Sequence, residues 1–183
     1  MAAIPDWQPR LQGRLLQLRP VTAEDRAPLF AAASDPRIWA LHPASDRWQE
    51  AVFRAYFEDR LASGGALVAV EVASGAVIGW SSYSGEFVEP GEIEIGWTFL
   101  GRDYWGGAYN GEMKRLMLAH AFRFVDRVIL RIGETNARSR RAAEKIGAKL
   151  QPGRRAPEPM PGVTHLFYAI ERADFLAESD AAS

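Results

Sequence analysis

The chain has 183 residues, 48% apolar and 25% charged, with a formal net charge of −1 at pH 7. That balance fits one globular domain and excludes a disordered chain, and it gives no global pull toward nucleic acid or an anionic membrane. With no cysteine there are no disulfides or thiolate sites, and His42, His120 and His165 lack metal-ligand spacing, so no metal is expected.

The start, MAAIPDWQPR, has neither a charged beginning nor a long apolar run, and no later segment reaches the ~20 apolar residues of a membrane span. A cytoplasmic protein is expected, with neither membrane nor nucleic acid as partner. Residues 1–13 are taken as a leader, 14–176 as the domain and 177–183 as a flexible tail.

Leu16 and Leu18 alternate with Gln17 and Arg19 in a first strand closed by Pro20. Thr22 is placed to cap a helix with Asp25 in its first turn, running to about Ala33, where Asp35-Pro36 stops it. Residues 38–47 have no period. A second helix is expected from Trp48 to Leu61, ended by Ser63-Gly64-Gly65, with Trp48, Phe53, Tyr56 and Phe57 assigned to the core. Two apolar runs, 67–72 and 76–83, are joined by Ser74-Gly75 as a hairpin.

The fourth strand begins at Glu92. Strict alternation puts Ile93, Ile95, Trp97 and Phe99 on one face and Glu92, Glu94, Gly96 and Thr98 on the other. The turn GRDYWGGAYN follows, then a helix from about Asn110 whose apolar stripe is Met113, Leu116, Met117, Ala121 and Phe124, with His120 inside it as a core residue and Lys114 largely outside. A small-residue turn opening a helix leaves backbone N–H groups free at the positive end of its dipole, a means of holding phosphate; it is equally an ordinary connection.

Residues 128–132 form a fifth, apolar strand. Asn136 then fits an N-cap, Ala142, Ala143 and Ile146 an inner helix face, and Gly147 a helix end. This second strand–helix unit makes the fourth and fifth strands parallel neighbours joined by a helix. Residues 151–162, rich in Pro, Gly and Arg, are expected to be a mobile loop before a closing strand over 165–170 and a last helical turn. The order gives one mixed α/β sheet.

The run NARSRRAAEKIGA, residues 136–148, resembles the Asn-x-x-Ser … Glu-Lys-x-Gly signature of the Gcn5-related N-acetyltransferase (GNAT) superfamily, and LLQLRPVTAED is similar to the start of its RimJ/RimL-like branch. The resemblance implies a single-domain GNAT-like acyl-CoA N-acyltransferase fold: a mixed, mostly antiparallel sheet split between parallel strands 4 and 5 and flanked by helices. It implies acetyl-CoA as co-substrate, its pantetheine on the backbone of Thr98, Phe99 and Leu100 and its pyrophosphate on the turn Trp105, Gly106, Gly107, Ala108, Tyr109 and Asn110. Asn136 is implied to meet the pantetheine amide, and Arg138 and Lys145 the CoA phosphates; Arg140 also stands i,i+4 from Glu144 on a solvated face.

The chain departs from the family in two places. Where the usual turn is Gln/Arg-x-x-Gly-x-Gly/Ala, Trp105 takes the basic or amide position, Ala108 the first small position and Asn110 the second. A tyrosine that would protonate the leaving thiolate is replaced by Ala143; in the RimL-like branch a serine at the position of Ser139 is implied for that task, against simple hydrogen bonding at the helix start.

The implied reaction is direct acetyl transfer to a primary amine, of a small molecule or a protein N-terminus, with a carboxylate base and no covalent enzyme intermediate. Glu94 and Glu158 are the candidate bases and Glu92 the third; each is also open to a solvated or paired role. The other reading is a non-catalytic acyl-CoA-binding or partner-binding domain. Residues 35–47, 84–91 and 151–162 are expected to line the acceptor, with Trp39, Trp48 and Tyr83 pointing to an amphipathic one, and a homodimer is a further expectation.

Overall fold

The structure, a computed structural model, describes residues 4–154 and 162–181. In chain order the elements are β1 (Leu11–Gln12), β2 (Leu16–Pro20), α1 (Arg26–Ala33), α2 (Pro36–Trp39), α3 (Glu50–Ala62), β3 (Ala66–Glu71), β4 (Val77–Ser84), β5 (Glu92–Leu100), α4 (Tyr109–Ala121), β6 (Arg127–Gly133), α5 (Ala137–Lys145), β7 (Lys149–Leu150), β8 (His165–Glu171) and α6 (Arg172–Ala181).

They build one eight-stranded sheet in the order β1-β2-β3-β4-β5-β6-β8-β7. Among the described strands only β5 and β6 run parallel, joined through α4 as the two strand–helix units require. Between Glu71 and Val77 the hairpin turns through Gly75, at φ 72°. Asn136 caps α5 by accepting from the Ser139 amide at 3.2 Å, and Gly147 ends that helix region with φ 84°.

The segment expected as a leader joins the sheet. Leu11 pairs with Leu18, and Trp7 packs against Tyr83 at 5.0 Å between ring centroids. The Glu112 carboxylate at the start of α4 accepts the amides of Arg14, Leu15 and Leu16, tying this edge to the helix.

The sheet carries a core on each face. Leu16, Leu18, Ile93 and Ile95 pack against Met113 and Met117 of α4, while Trp80 and Phe99 pack against Phe53 and Phe57 of α3. Each large apolar side chain removed from water contributes roughly 1.5–3 kcal/mol, so the two layers hold β5 firmly from both sides. His120 lies in the core as its stripe required, its Nε2 bonded to the Asp6 carbonyl.

Three expectations fail. Helix α3 starts at Glu50, leaving Trp48 exposed rather than in the core. Trp39 and Tyr83 are buried instead of lining an acceptor loop: the Trp39 indole donates to the Ala33 carbonyl and the Tyr83 hydroxyl to the Met117 carbonyl. Trp97 and Phe99 face away from Ile93 and Ile95, and Thr98 and Leu100 take the α4 side instead, because β5 contains an extra residue.

Candidate active site

That extra residue is the centre of the site. Along β4 and β5 the register steps from Ser82 opposite Gly96 to Trp80 opposite Phe99, so Trp97 and Thr98 together face Ser81. Such a bulge bends its strand and increases the twist. Trp97 sits at φ 53°, the only non-glycine residue with positive φ among those described, a conformation costing about 1–3 kcal/mol. It is held from α3: the Tyr56 hydroxyl donates to the Trp97 carbonyl at 3.0 Å and accepts from the Trp80 indole at 3.2 Å.

Strand β6 leaves β5 just before the bulge. Their ladder runs from Glu92 opposite Arg127 to Glu94 opposite Ile129, and no further pairs form among the described residues. The β5 backbone over 95–100 therefore borders an opening. The loop after α2 crosses its far side, where Pro43 lies so near Gly133 that a Cβ there would stand 2.9 Å from its Cγ.

Glu94 lies at the last paired rung, 2% exposed. Its Oε1 is 3.4 Å from Arg131 Nε, whose guanidinium packs over the Phe87 ring at 4.2 Å. Burial pushes the Glu94 carboxyl above its ordinary pKa, against the opposing pull of Arg131. Glu94 Oε2, Arg131 Nη1 and His165 Nδ1 are buried without a hydrogen-bond partner among the described residues. A cleft of about 310 Å³, lined by Trp7, Arg60, Tyr83, Ser84 and Glu86, does not include Glu94, Arg131 or His165 but comes near them: Ser84 is the cross-strand partner of Glu94, and Arg60 packs on the Trp97 ring at 4.2 Å.

Glu92 is committed to two arginines. Arg154 grips it in a two-pronged pair at 2.9 and 2.7 Å, and Arg127 adds a bond at 3.3 Å. Burial raises its pKa, but the Arg154 hydrogen bond and charge outweigh that and leave the carboxyl below its ordinary value. Glu158 lies outside the described residues.

The turn after β5 has the elements of an anion site. Gly106 takes φ 71°, and neither it nor Gly107 or Gly111 has a neighbour where a Cβ would stand, so the approach to the start of α4 is open. Trp105 folds back, its indole donating to the Leu100 carbonyl at 2.9 Å, with Arg138 over its ring at 4.1 Å and Arg102 at 5.0 Å. Arg138 in turn donates to the carbonyls of Ile38 and Arg37. Tyr109 turns away: its hydroxyl bonds Glu71 at 2.5 Å, as Tyr104 does at 3.3 Å. A groove of about 700 Å³ borders Gly101–Tyr104 and Asp35 but does not include the glycines of the turn.

On α5, Ser139 is half-buried, Ala143 buried and Lys145 exposed. Arg140 reaches Glu144 only through the Tyr168 hydroxyl, at 3.0 and 3.3 Å. Sequence periodicity missed Arg131, whose signal is a lone cation inside the apolar run VILRIG, and it misplaced Lys114, which is 5% exposed.

A parallel strand pair that splays at a bulge, followed by a glycine turn into a helix, is the arrangement on which the family match bears. The family model for the acetyltransferase (GNAT) domain matches residues 15–149. The chain belongs to this family. Solved structures repeat its fold: a GCN5-related N-acetyltransferase from Brucella melitensis, 22% identical, covers 95% of this chain and 83% of its own with a TM-score of 0.83. A GNAT-family acetyltransferase from Bacillus anthracis, 18% identical, covers 88% and 98% with a TM-score of 0.72. Mycobacterium smegmatis RimJ in complex with CoA-disulfide, 18% identical, covers 97% and 96% with a TM-score of 0.70.

The GNAT domain implies acetyl-CoA as co-substrate, and the residues present fit it. Among the described residues the β5 edge over 95–100 has no strand on its β6 side, the glycines leave the α4 start open, and Arg102 and Arg138 stand beside the turn. No helix among the described residues is long and apolar enough to cross a membrane, and no group of three or more His, Asp or Glu there could hold a metal.

Proposed function

We propose that the protein transfers the acetyl group of acetyl-CoA to a primary amine by direct attack, with Glu94 as general base. The observation that carries this is the buried Glu94 carboxylate, one oxygen held by Arg131 and the other without a partner among the described residues, at the rung where β5 and β6 separate. An attacking amine must be neutral and lose a proton as the amide forms; a carboxylate made more basic by burial suits that task better than a solvated one.

Arg131 keeps that base oriented, and its stacking on Phe87 fixes the pair. The bulge turns the β5 backbone toward the opening, where its amides are available to bind and orient acetyl-CoA; that bound molecule supplies the activated acetyl group. An α-amine, with an ordinary pKa near ~8, asks less of the base than a lysine-type amine near ~10.4, which favours a protein N-terminus or an amino compound of similar basicity. Ser139 and Asn136 at the start of α5, with Arg138 and Lys145, complete the proposed cofactor side.

The experiment is release of free CoA from acetyl-CoA with a panel of α-amines and alkylamines, run with the wild type and Glu94→Gln. CoA release that needs both amine and Glu94 supports the reading; a panel without turnover despite CoA binding defeats it. One observation favours the non-catalytic binding domain: the Leu100 carbonyl expected for pantetheine is taken by Trp105. Saturating CoA that leaves Tm unmoved would remove both readings.

A further inference from the structure

Lys114 is a lysine inside the core with no acid beside it among the described residues. It stands on α4 facing the sheet, 5% exposed, with Nζ 2.5 Å from Thr98 Oγ1 and 3.1 Å from Ser81 Oγ. The two hydroxyls are 2.7 Å apart, so the three polar atoms form a closed triangle. No ion pair reaches Lys114 among the described residues. Both facing strands present uncharged groups, Ser81 from β4 and Thr98 from β5, and the nearest acid on its own helix, Glu112, is committed to the amides of Arg14, Leu15 and Leu16. Burial alone lowers the Lys114 pKa, to about 7.

Thr98 belongs to the bulge and is half-exposed, on the stretch of β5 that β6 has left. It stands between a buried ammonium and the opening. A buried unpaired lysine costs stability that an apolar side chain of similar size would not. Its placement against the one bulge hydroxyl gives that cost a chemical use.

We propose that Lys114 and Thr98 form a proton relay to the sulfur of the leaving thiol, an inference that rests on the acetyl-transfer reading above. As the amine nitrogen bonds to the acyl carbon, the carbon–sulfur bond breaks with its electron pair on sulfur. Sulfur takes the Thr98 hydroxyl proton, and Thr98 Oγ1 takes one from Lys114 Nζ. The proton lost by the attacking nitrogen goes to Glu94, and Glu94 and Lys114 return to their starting states by exchange with solvent. Ser81, bonded to both partners, holds Thr98 Oγ1 in place, and the Thr98 hydroxyl leaves its long 3.4 Å bond to the Gly96 carbonyl when it turns to sulfur. An ammonium that titrates at about 7 is a stronger acid than a thiol near ~8.5, so the transfer runs downhill. The relay comes from α4 and β5, whereas Ser139 would act from α5.

The test is titration of the thiol of CoA bound to the protein, read by thiolate ultraviolet absorbance, in the wild type, Lys114→Met and Thr98→Val. Because Lys114 itself loses its proton at about 7, the expected result is severalfold more thiolate in the wild type than in either variant near that pH, a difference that fades toward the ordinary thiol range at about 8.5. Thr98→Val keeps the side-chain shape and leaves Ser81 to accept from Lys114, so it answers the question even if Lys114→Met folds poorly. In turnover, Lys114→Met should lower kcat about 100-fold with the KM for acetyl-CoA within about twofold, and lose the fall in rate at alkaline pH that Ser139→Ala retains. CoA binding with the same thiol titration in all three proteins overturns the relay alone; no CoA binding by the wild type overturns it together with the acetyl-transfer reading.

Discussion

The Tyr56 hydroxyl donates to the Trp97 carbonyl at 3.0 Å, so a side chain of α3 holds the strained residue of β5 in place. The same oxygen accepts from the Trp80 indole. Tyr56→Phe therefore strands one buried and one half-buried group, the former costing about 1–3 kcal/mol and the latter less, and a loss of about 2–4 kcal/mol is expected in urea unfolding, seen as a lower midpoint with an unchanged slope. Because the bulge carries the opening, kcat should fall more than the stability loss alone would produce at temperatures where the variant stays folded. A change under about 0.5 kcal/mol with wild-type kcat would show that the bulge stands without Tyr56.

Glu94 sets the expected acid side of the rate profile. As the proposed base it would act deprotonated, and burial places its pKa above the ordinary 4.5, so the rate should climb with pH through a midpoint above that value. Glu94→Gln removes the base and the limb together, with a loss of about 100-fold or more. Initial rates from mildly acid to neutral pH check both. A limb that survives in Glu94→Gln would move the role to another carboxylate, with Glu158 next in line.

Much of this arrangement was legible in the sequence, and the failures share physical causes. Asn136 as a cap, Gly147 as a helix end and the parallel pairing of the fourth and fifth strands came from local chemistry and chain order. The Phe99 face was missed because alternation assumes an unbroken period of two, and the bulge inserts a residue that no composition marks. β1 and β7 have two residues each, too few to show a period. Glu94 was picked from its own strand, but what raises its pKa is burial, against the pull of Arg131 37 residues away. Lys114 was placed outside the apolar stripe because it stands one position from Met113, and only the packing of α4 against β4 and β5 brings it inward.

Trp105 is expected to compete with the co-substrate. Its indole occupies the Leu100 carbonyl, one of the backbone groups assigned to pantetheine. Trp105→Phe keeps an aromatic face for Arg138 and frees that carbonyl. If the indole must leave before CoA seats, the variant avoids a cost of about 1 kcal/mol, and calorimetry should give roughly fivefold tighter CoA binding. Weaker binding by the variant would mean that the indole itself contacts CoA.

Lys114 should make the protein's stability depend on pH in an unusual direction for a lysine. Its folded pKa of about 7 lies below the ordinary 10.5, so between those values the unfolded chain binds more protons than the folded one. Stability contributed at this site therefore rises with pH from about 7 to about 10.5, and the penalty is complete below the lower value. Lys114→Met removes the penalty: it should be more stable than the wild type by a few kcal/mol at pH 6, with the gain shrinking as pH rises toward 10. Urea unfolding of both proteins at pH 6, 8 and 9.5 measures the trend. Equal stability differences at all three would mean that Lys114 titrates normally, and with that the downhill step of the proposed relay would be lost.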